Sequence, residues 1–101
     1  MSIRMKPADR KADILEAAIK AAQKHGFVAV RQKDIAEEAQ CGFGTVSLYF
    51  STMKQMRRAV MRAAIARGLL PIVAQGLGCM DPDARKAPPE LKEKALKLLA
   101  S

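Results

Sequence analysis

Tryptophan is absent from the chain, and aromatic residues make up only 4%, one Tyr and three Phe in 101 residues. The core must therefore be filled by alanine and aliphatic side chains. Cysteine is equally scarce. Cys41 and Cys79 stand far apart with no CxxC spacing, which excludes a disulfide framework and, even with the lone His25, any recognisable zinc site. They are expected to be reduced thiols in a cytoplasmic protein. The longest apolar stretch, Gly68 to Gly78, is interrupted by Pro71 and falls short of the ~18–20 residues that span a bilayer. Residues Met1 to Pro7 are basic but lead into further charge, so they lack the apolar segment of a signal peptide.

The equipment of an enzyme is missing as well. No Ser-His-Asp-like grouping, paired carboxylates or nucleotide fingerprint is present, and neither a cofactor nor a metal is expected. Gly42-Phe43-Gly44 has no preceding strand and so is not a phosphate-binding loop. Acid is in short supply: 18 Lys and Arg face 10 Asp and Glu, for a formal charge of +8. No acidic residue lies between Ser51 and Arg67, where Lys54, Arg57, Arg58, Arg62 and Arg67 fall. A charge of this size suits a polyanionic partner.

What is present reads as all-α. Leu15, Ala18, Ile19 and Ala22 recur at helical spacing, so a first helix is expected from about Asp9 to His25, with Asp9 as a possible N-cap and Gly26 ending it. A short helix is expected over Gln32–Ala39, with Ile35, Ala36 and Ala39 inward. A tight turn at Gln40–Gly44 follows, then a third helix at about Gly44–Phe50 with Val46, Tyr49 and Phe50 inward. Ser51 or Thr52 should cap a long fourth helix, its apolar stripe formed by Met56, Ala59, Val60, Ala63 and Ala64. Gly68 and Pro71 break it. After a loop, a last helix is expected over Pro89–Leu99, with Leu91, Ala95, Leu98 and Leu99 on its apolar face.

Two short helices joined by a tight turn, between two longer ones, form a helix-turn-helix pattern. Ala36 is small where the short helices cross, and Cys41, Val46 and Tyr49 fill the wedge between them. The turn position commonly held by Gly is Gln40, which leaves Gly42 to supply backbone freedom.

The stretches Ile14-Leu15-Glu16-Ala17-Ala18, Gly26-Phe27, Asp34-Ile35-Ala36-Glu37-Glu38-Ala39 and Gly44-Thr45-Val46 with Tyr49-Phe50 stand in a register that resembles the DNA-binding region of TetR-type transcriptional repressors. The resemblance covers roughly Arg10 to Ile65. It departs from the family pattern at Arg31, where a Ser or Thr cap is usual, at Gln40-Cys41-Gly42 in the turn, at Ser47 and at Met53.

The resemblance implies a homodimeric repressor that places its third helix in the major groove of a palindromic operator, with half-sites about one turn (~34 Å) apart. Thr45 and Ser47 would then meet base edges or phosphates. Phe43 would be either a thymine-methyl contact or a buried staple, and Tyr49 either a core wedge or a phosphate donor. Gln32, Lys33 and Lys54 sit at helix starts suited to phosphate. Arg4 and Lys6, in a basic arm over residues 1–8, would reach the backbone or a minor groove.

Residues 9–68 are thus expected to form the reading domain and 69–101 a helical dimerisation segment using Leu69, Leu70, Ile72, Val73, Leu91, Leu98 and Leu99. The family carries a long inducer-binding domain beyond this point. About 33 residues follow Gly68, too few to enclose a pocket of ~300–1,000 Å³, so no small-molecule ligand is expected. Such a regulator would suit a plasmid or phage. A competing reading is a small basic helical module that binds a partner protein or an anionic surface through its cationic and leucine faces.

Overall fold

A computed structural model describes residues 7–100, and all its regular structure there is helical. The helices are α1 (Pro7–His25), α2 (Gln32–Ala39), α3 (Phe43–Tyr49), α4 (Met53–Arg67), α5 (Leu70–Gly78), α6 (Pro82–Arg85) and α7 (Pro89–Ala100). Arg4 and Lys6 lie outside the described residues. Helix α1 begins two residues before Asp9, which is therefore inside the first turn rather than its cap.

The α2 boundaries agree with the periodicity, while α3 is displaced by one residue toward the N-terminus. The buried face of α1 is centred on Ile14, Ala18, Ala21 and Ala22, all at 0% exposure. Leu15, expected at its centre, sits at the edge of the core. Small alanines let α2 and α4 approach α1 closely, which is how a chain so poor in aromatics fills its interior. The largest buried side chains are Phe27, Ile14, Ile35, Met56, Met61 and Ile72.

Two helices appear where the sequence suggested a break and a loop. Pro71 is in the first turn of α5, where its missing N–H would have had no acceptor in any case. The residue expected to stop a helix is one that starts it. Asp81 caps the single turn of α6 by accepting the Ala84 N–H at 2.9 Å, with Pro82 following as its first residue.

Helices α2, α4 and α5 end alike. In each, a left-handed residue (Gln40, Gly68, Met80) is followed by an N–H that reaches back five residues: Cys41 to the Ala36 carbonyl, Leu69 to Ala64 and Asp81 to Gly76. This is the Schellman arrangement. Gln40 itself takes the left-handed conformation (φ 55°), and Gly42 is extended with φ −76°. The backbone freedom assigned to Gly42 is therefore not used.

The core is continuous across Gly68. Ile72, Val73 and Ala74 of α5, Ala84 of α6 and Ala95 of α7 join the same cluster as the residues of α1 to α4. Ile72 and Val73, expected at a subunit interface, are instead buried inside the chain at 1% and 0% exposure. The reason is that α5 is a helix wedged between α4 and α7. Leu69, Leu70 and Leu91 are half-buried against the same core. Leu98 and Leu99, expected on the inner face of α7, remain 44% and 49% exposed.

Candidate nucleic-acid interface

The helix-turn-helix end is organised by local capping. Arg31 occupies the N-cap of α2 in extended conformation, and its guanidinium cannot serve as the acceptor that Ser or Thr would supply. The reciprocal half of the capping box does form: Asp34, three residues on, accepts the Arg31 N–H at 2.9 Å. His25 Nε2 lies 3.8 Å from the other oxygen of Asp34. Helix α4 is capped by Thr52, whose hydroxyl accepts the Gln55 N–H at 3.1 Å. Gln55 answers by accepting both the N–H and the hydroxyl of Ser51. Of the two caps expected from the sequence, Ser51 and Thr52, it is Thr52 that caps α4, paired with Gln55.

Helix α3 is anchored by Val46 (0% exposed), and Phe50 just beyond it is likewise buried. The opposite face carries Gly44 and Leu48, with Thr45 and Ser47 half-buried along its flanks. Leu48 is 76% exposed, more than any other large apolar side chain among the described residues. Sequence reading passed over it, although a helical projection puts it directly opposite Val46 and Phe50. Phe43, at the start of α3, is 56% exposed, so it is no buried staple. Tyr49 is half-buried and packs against the core.

Gln32 is half-buried at the first position of α2, Lys33 is exposed beside it, and Lys54 is exposed in the first turn of α4. Neither lysine enters an ion pair among the described residues. At both helix starts the backbone N–H groups and the helix dipole add to the lysine charge.

The arginines of α4 are less free than their acid-poor sequence suggests, because tertiary packing supplies the acid. Arg67 pairs with Glu16 of α1. Arg58 and Arg62 flank Asp83 of α6 at 3.8 and 3.6 Å. Between α1 and α2, Lys24 joins Glu38 at 2.8 Å. The hydrogen bond from Arg67 holds the Glu16 carboxyl below its ordinary value, and that from Lys24 does the same for Glu38. Within α4, the cations left without an acidic partner among the described residues are thus Lys54 and Arg57, toward its start.

Beside this end, a groove of about 720 Å³ runs between α1, α3 and α4, lined by Lys11, Leu15, Tyr49, Phe50, Arg58 and Arg62 among others. Lys11 Nζ lies 5.7 Å from the Phe50 ring centroid, within cation–π range. Cys41 and Cys79 are both free thiols, and no three His, Cys, Asp or Glu side chains gather as a metal site among the described residues. No described helix is long and apolar enough to cross a membrane.

The comparisons with known proteins bear on this same end. Residues 14–60 match the family model of bacterial regulatory proteins, tetR family. The chain is also similar to an uncharacterised HTH-type transcriptional regulator, YfiR, of Bacillus subtilis (strain 168), at 38% identity over 60 residues. That alignment takes in 59% of this chain but only 29% of the relative. No solved structure gives a significant match. The matched segment runs from the buried face of α1 into α4 and contains the whole of α2 and α3. Over residues 14–60, the chain is thus similar to the tetR family of bacterial regulatory proteins.

Proposed function

We propose that the chain binds double-stranded DNA as a sequence-selective transcriptional repressor, with α3 in the major groove. The observation that carries this is the pairing of the family match over residues 14–60 with an α3 whose outer face is free of packing. Gly44 lets the helix approach closely, Thr45 and Ser47 supply hydroxyls at its flanks, and Phe43 and Leu48 offer apolar surface to thymine methyl groups. Lys33 and Lys54 neutralise phosphates on either side and fix the register without reading sequence. The regulator acts in the cytoplasm, on the nucleoid, and has no catalytic step.

Two copies bind a palindromic operator, each reading one half-site. The apolar surface available for pairing is on α7, where Leu96 and Leu99 are 52% and 49% exposed.

Selection of bound fragments from a random DNA pool, followed by titration at two salt concentrations, tests the proposal. The expected result is retention of a preferred, two-fold symmetric fragment at the higher salt. Thr45→Ala and Ser47→Ala should weaken the selected duplex more than random DNA, whereas Lys54→Ala weakens both alike. Binding that is abolished by salt and shows no preferred fragment would overturn the reading.

A further inference from the structure

The turn between α1 and α2 is held by side chains from outside the two short helices. At the end of α1 the Gly26 N–H still reaches the Ala22 carbonyl at 2.8 Å. The next N–H, that of Phe27, is taken instead by Gln75 Oε1 of α5, at 2.6 Å and partly buried. One residue further along, the Val28 carbonyl receives Arg57 Nη2 of α4 in a longer contact of 3.4 Å. Gln75 is the single polar side chain in α5, Leu70–Gly78, and stands between the buried Ala74 and Gly76. It also lies over Gly26, where an added Cβ would come within 3.5 Å of the same oxygen.

This turn leads directly into the reading end. Phe27 and Val30 are buried at 1% and 2% exposure, fixing the turn from below while Gln75 fixes it from above. Arg31 then takes the N-cap position of α2, its N–H held by Asp34, and α2 passes into α3 through the hydrogen-bonded left-handed turn at Gln40. Each link is short and packed, so the seat of Phe27 sets the seat of α2 and, through it, that of α3.

We infer that Gln75 is a positioning residue for α3: by accepting the Phe27 N–H it fixes the angle at which α2 and α3 sit against α4 and α5. Displacement of α5 is thereby transmitted to the DNA-facing surface. The DNA readout of this inference rests on the function proposed above; the spectroscopic readout does not.

Gln75→Met keeps the side-chain length and removes the acceptor, while Gln75→Glu keeps an acceptor oxygen. The test compares both variants with the unaltered full chain by amide NMR, hydrogen exchange and DNA titration. For Q75M, the expected result is at least tenfold faster exchange at the Phe27 amide, shifted amide resonances at Thr45 and Leu48, and about tenfold weaker binding to the selected duplex. Binding to random DNA and its salt dependence stay unchanged. Q75E restores these quantities toward the starting values. If Phe27 exchange accelerates while the α3 resonances and selective affinity stay put, Gln75 merely satisfies an amide and the inference is overturned.

Should Q75M not fold, the carboxyl introduced by Q75E serves alone. As it titrates, Phe27 and α3 amides should move along one curve, and stationary α3 amides defeat the inference. If the unaltered chain selects no DNA fragment, the regulatory reading fails by itself, and the α3 resonances still decide the role of Gln75.

Discussion

Gly76 of α5 lies so close to Ala84 of α6 that a Cβ placed on it would fall 2.8 Å from the Ala84 Cβ and 2.3 Å from Met61 Cε. The Met61 tip can swing away, but a methyl fixed to the backbone of α6 cannot. Gly76 is therefore the point at which α4, α5 and α6 meet.

Replacing Gly76 by Ala pits two effects against each other. Alanine within a helix is worth about 1 kcal/mol over glycine, while overpacking a filled core costs about 1–3 kcal/mol. The contact is below any normal Cβ separation, so overpacking wins. Urea denaturation should show a net loss of roughly 1 kcal/mol or more, larger than for Gly42→Ala, where the added methyl meets nothing within 4 Å.

Gln40 offers the opposite outcome. A non-glycine residue in the left-handed region costs roughly 1–2 kcal/mol, and glycine gives back about 0.4–1 kcal/mol of that through its freer unfolded chain. Gln40→Gly should raise the urea midpoint by the equivalent of a few tenths to about 1 kcal/mol. Gln40→Val should lower it, because a β-branched side chain tolerates φ 55° poorly.

Thr52→Ala removes the hydroxyl that accepts the Gln55 N–H and should cost about 1 kcal/mol. Ser51→Ala removes only an exposed hydroxyl contact to Gln55 and should cost less. The ratio of the two losses, measured by thermal or urea unfolding, identifies which residue caps α4.

Acid sensitivity follows from Glu16 and Glu38. Both carboxyls are held below the ordinary value of 4.5, principally by hydrogen bonds from Arg67 and Lys24 respectively. A depressed carboxyl contributes stability that is complete above its unfolded pKa and is lost as pH falls through the folded one. Unfolding midpoints should therefore hold steady from neutrality down to about pH 5 and decline below about 4.5. The pairs are exposed, so ~0.5 M salt should flatten the decline, and a Glu16→Gln, Glu38→Gln double variant should reduce it.

Leu48→Ala should leave stability within about 0.5 kcal/mol, as expected for an exposed position, yet weaken binding to the selected duplex. Unchanged binding in a competition titration would mean that the outward face of α3 does not meet the bases.

The helix-turn-helix end was largely legible in the sequence because its determinants are local. Ile35, Ala36 and Val46 at helical spacing, followed by a polar turn, are enough to draw α2 and α3. The rest depends on what comes into contact in three dimensions. Pro71 reads as a breaker until its place in a first turn is known. The arginines of α4 read as an unopposed stripe until Glu16 and Asp83 arrive from α1 and α6. Leucines at 98 and 99 read as an inner face until α5 is seen to take Leu91 and Ala95 instead. Gln75 carried a signal that was passed over, a lone polar residue in an apolar helix.

The core that runs unbroken past Gly68 makes the helix-turn-helix end non-modular. Met61 and Ala64 on α4 have their inner surface covered by α5 and α6, so a fragment cut at Gly68 would present them to water and lose the Gln75 acceptor in the same stroke. Grafting the helix-turn-helix onto another scaffold would require α5 and α6 to travel with it, as part of one cooperative folding unit.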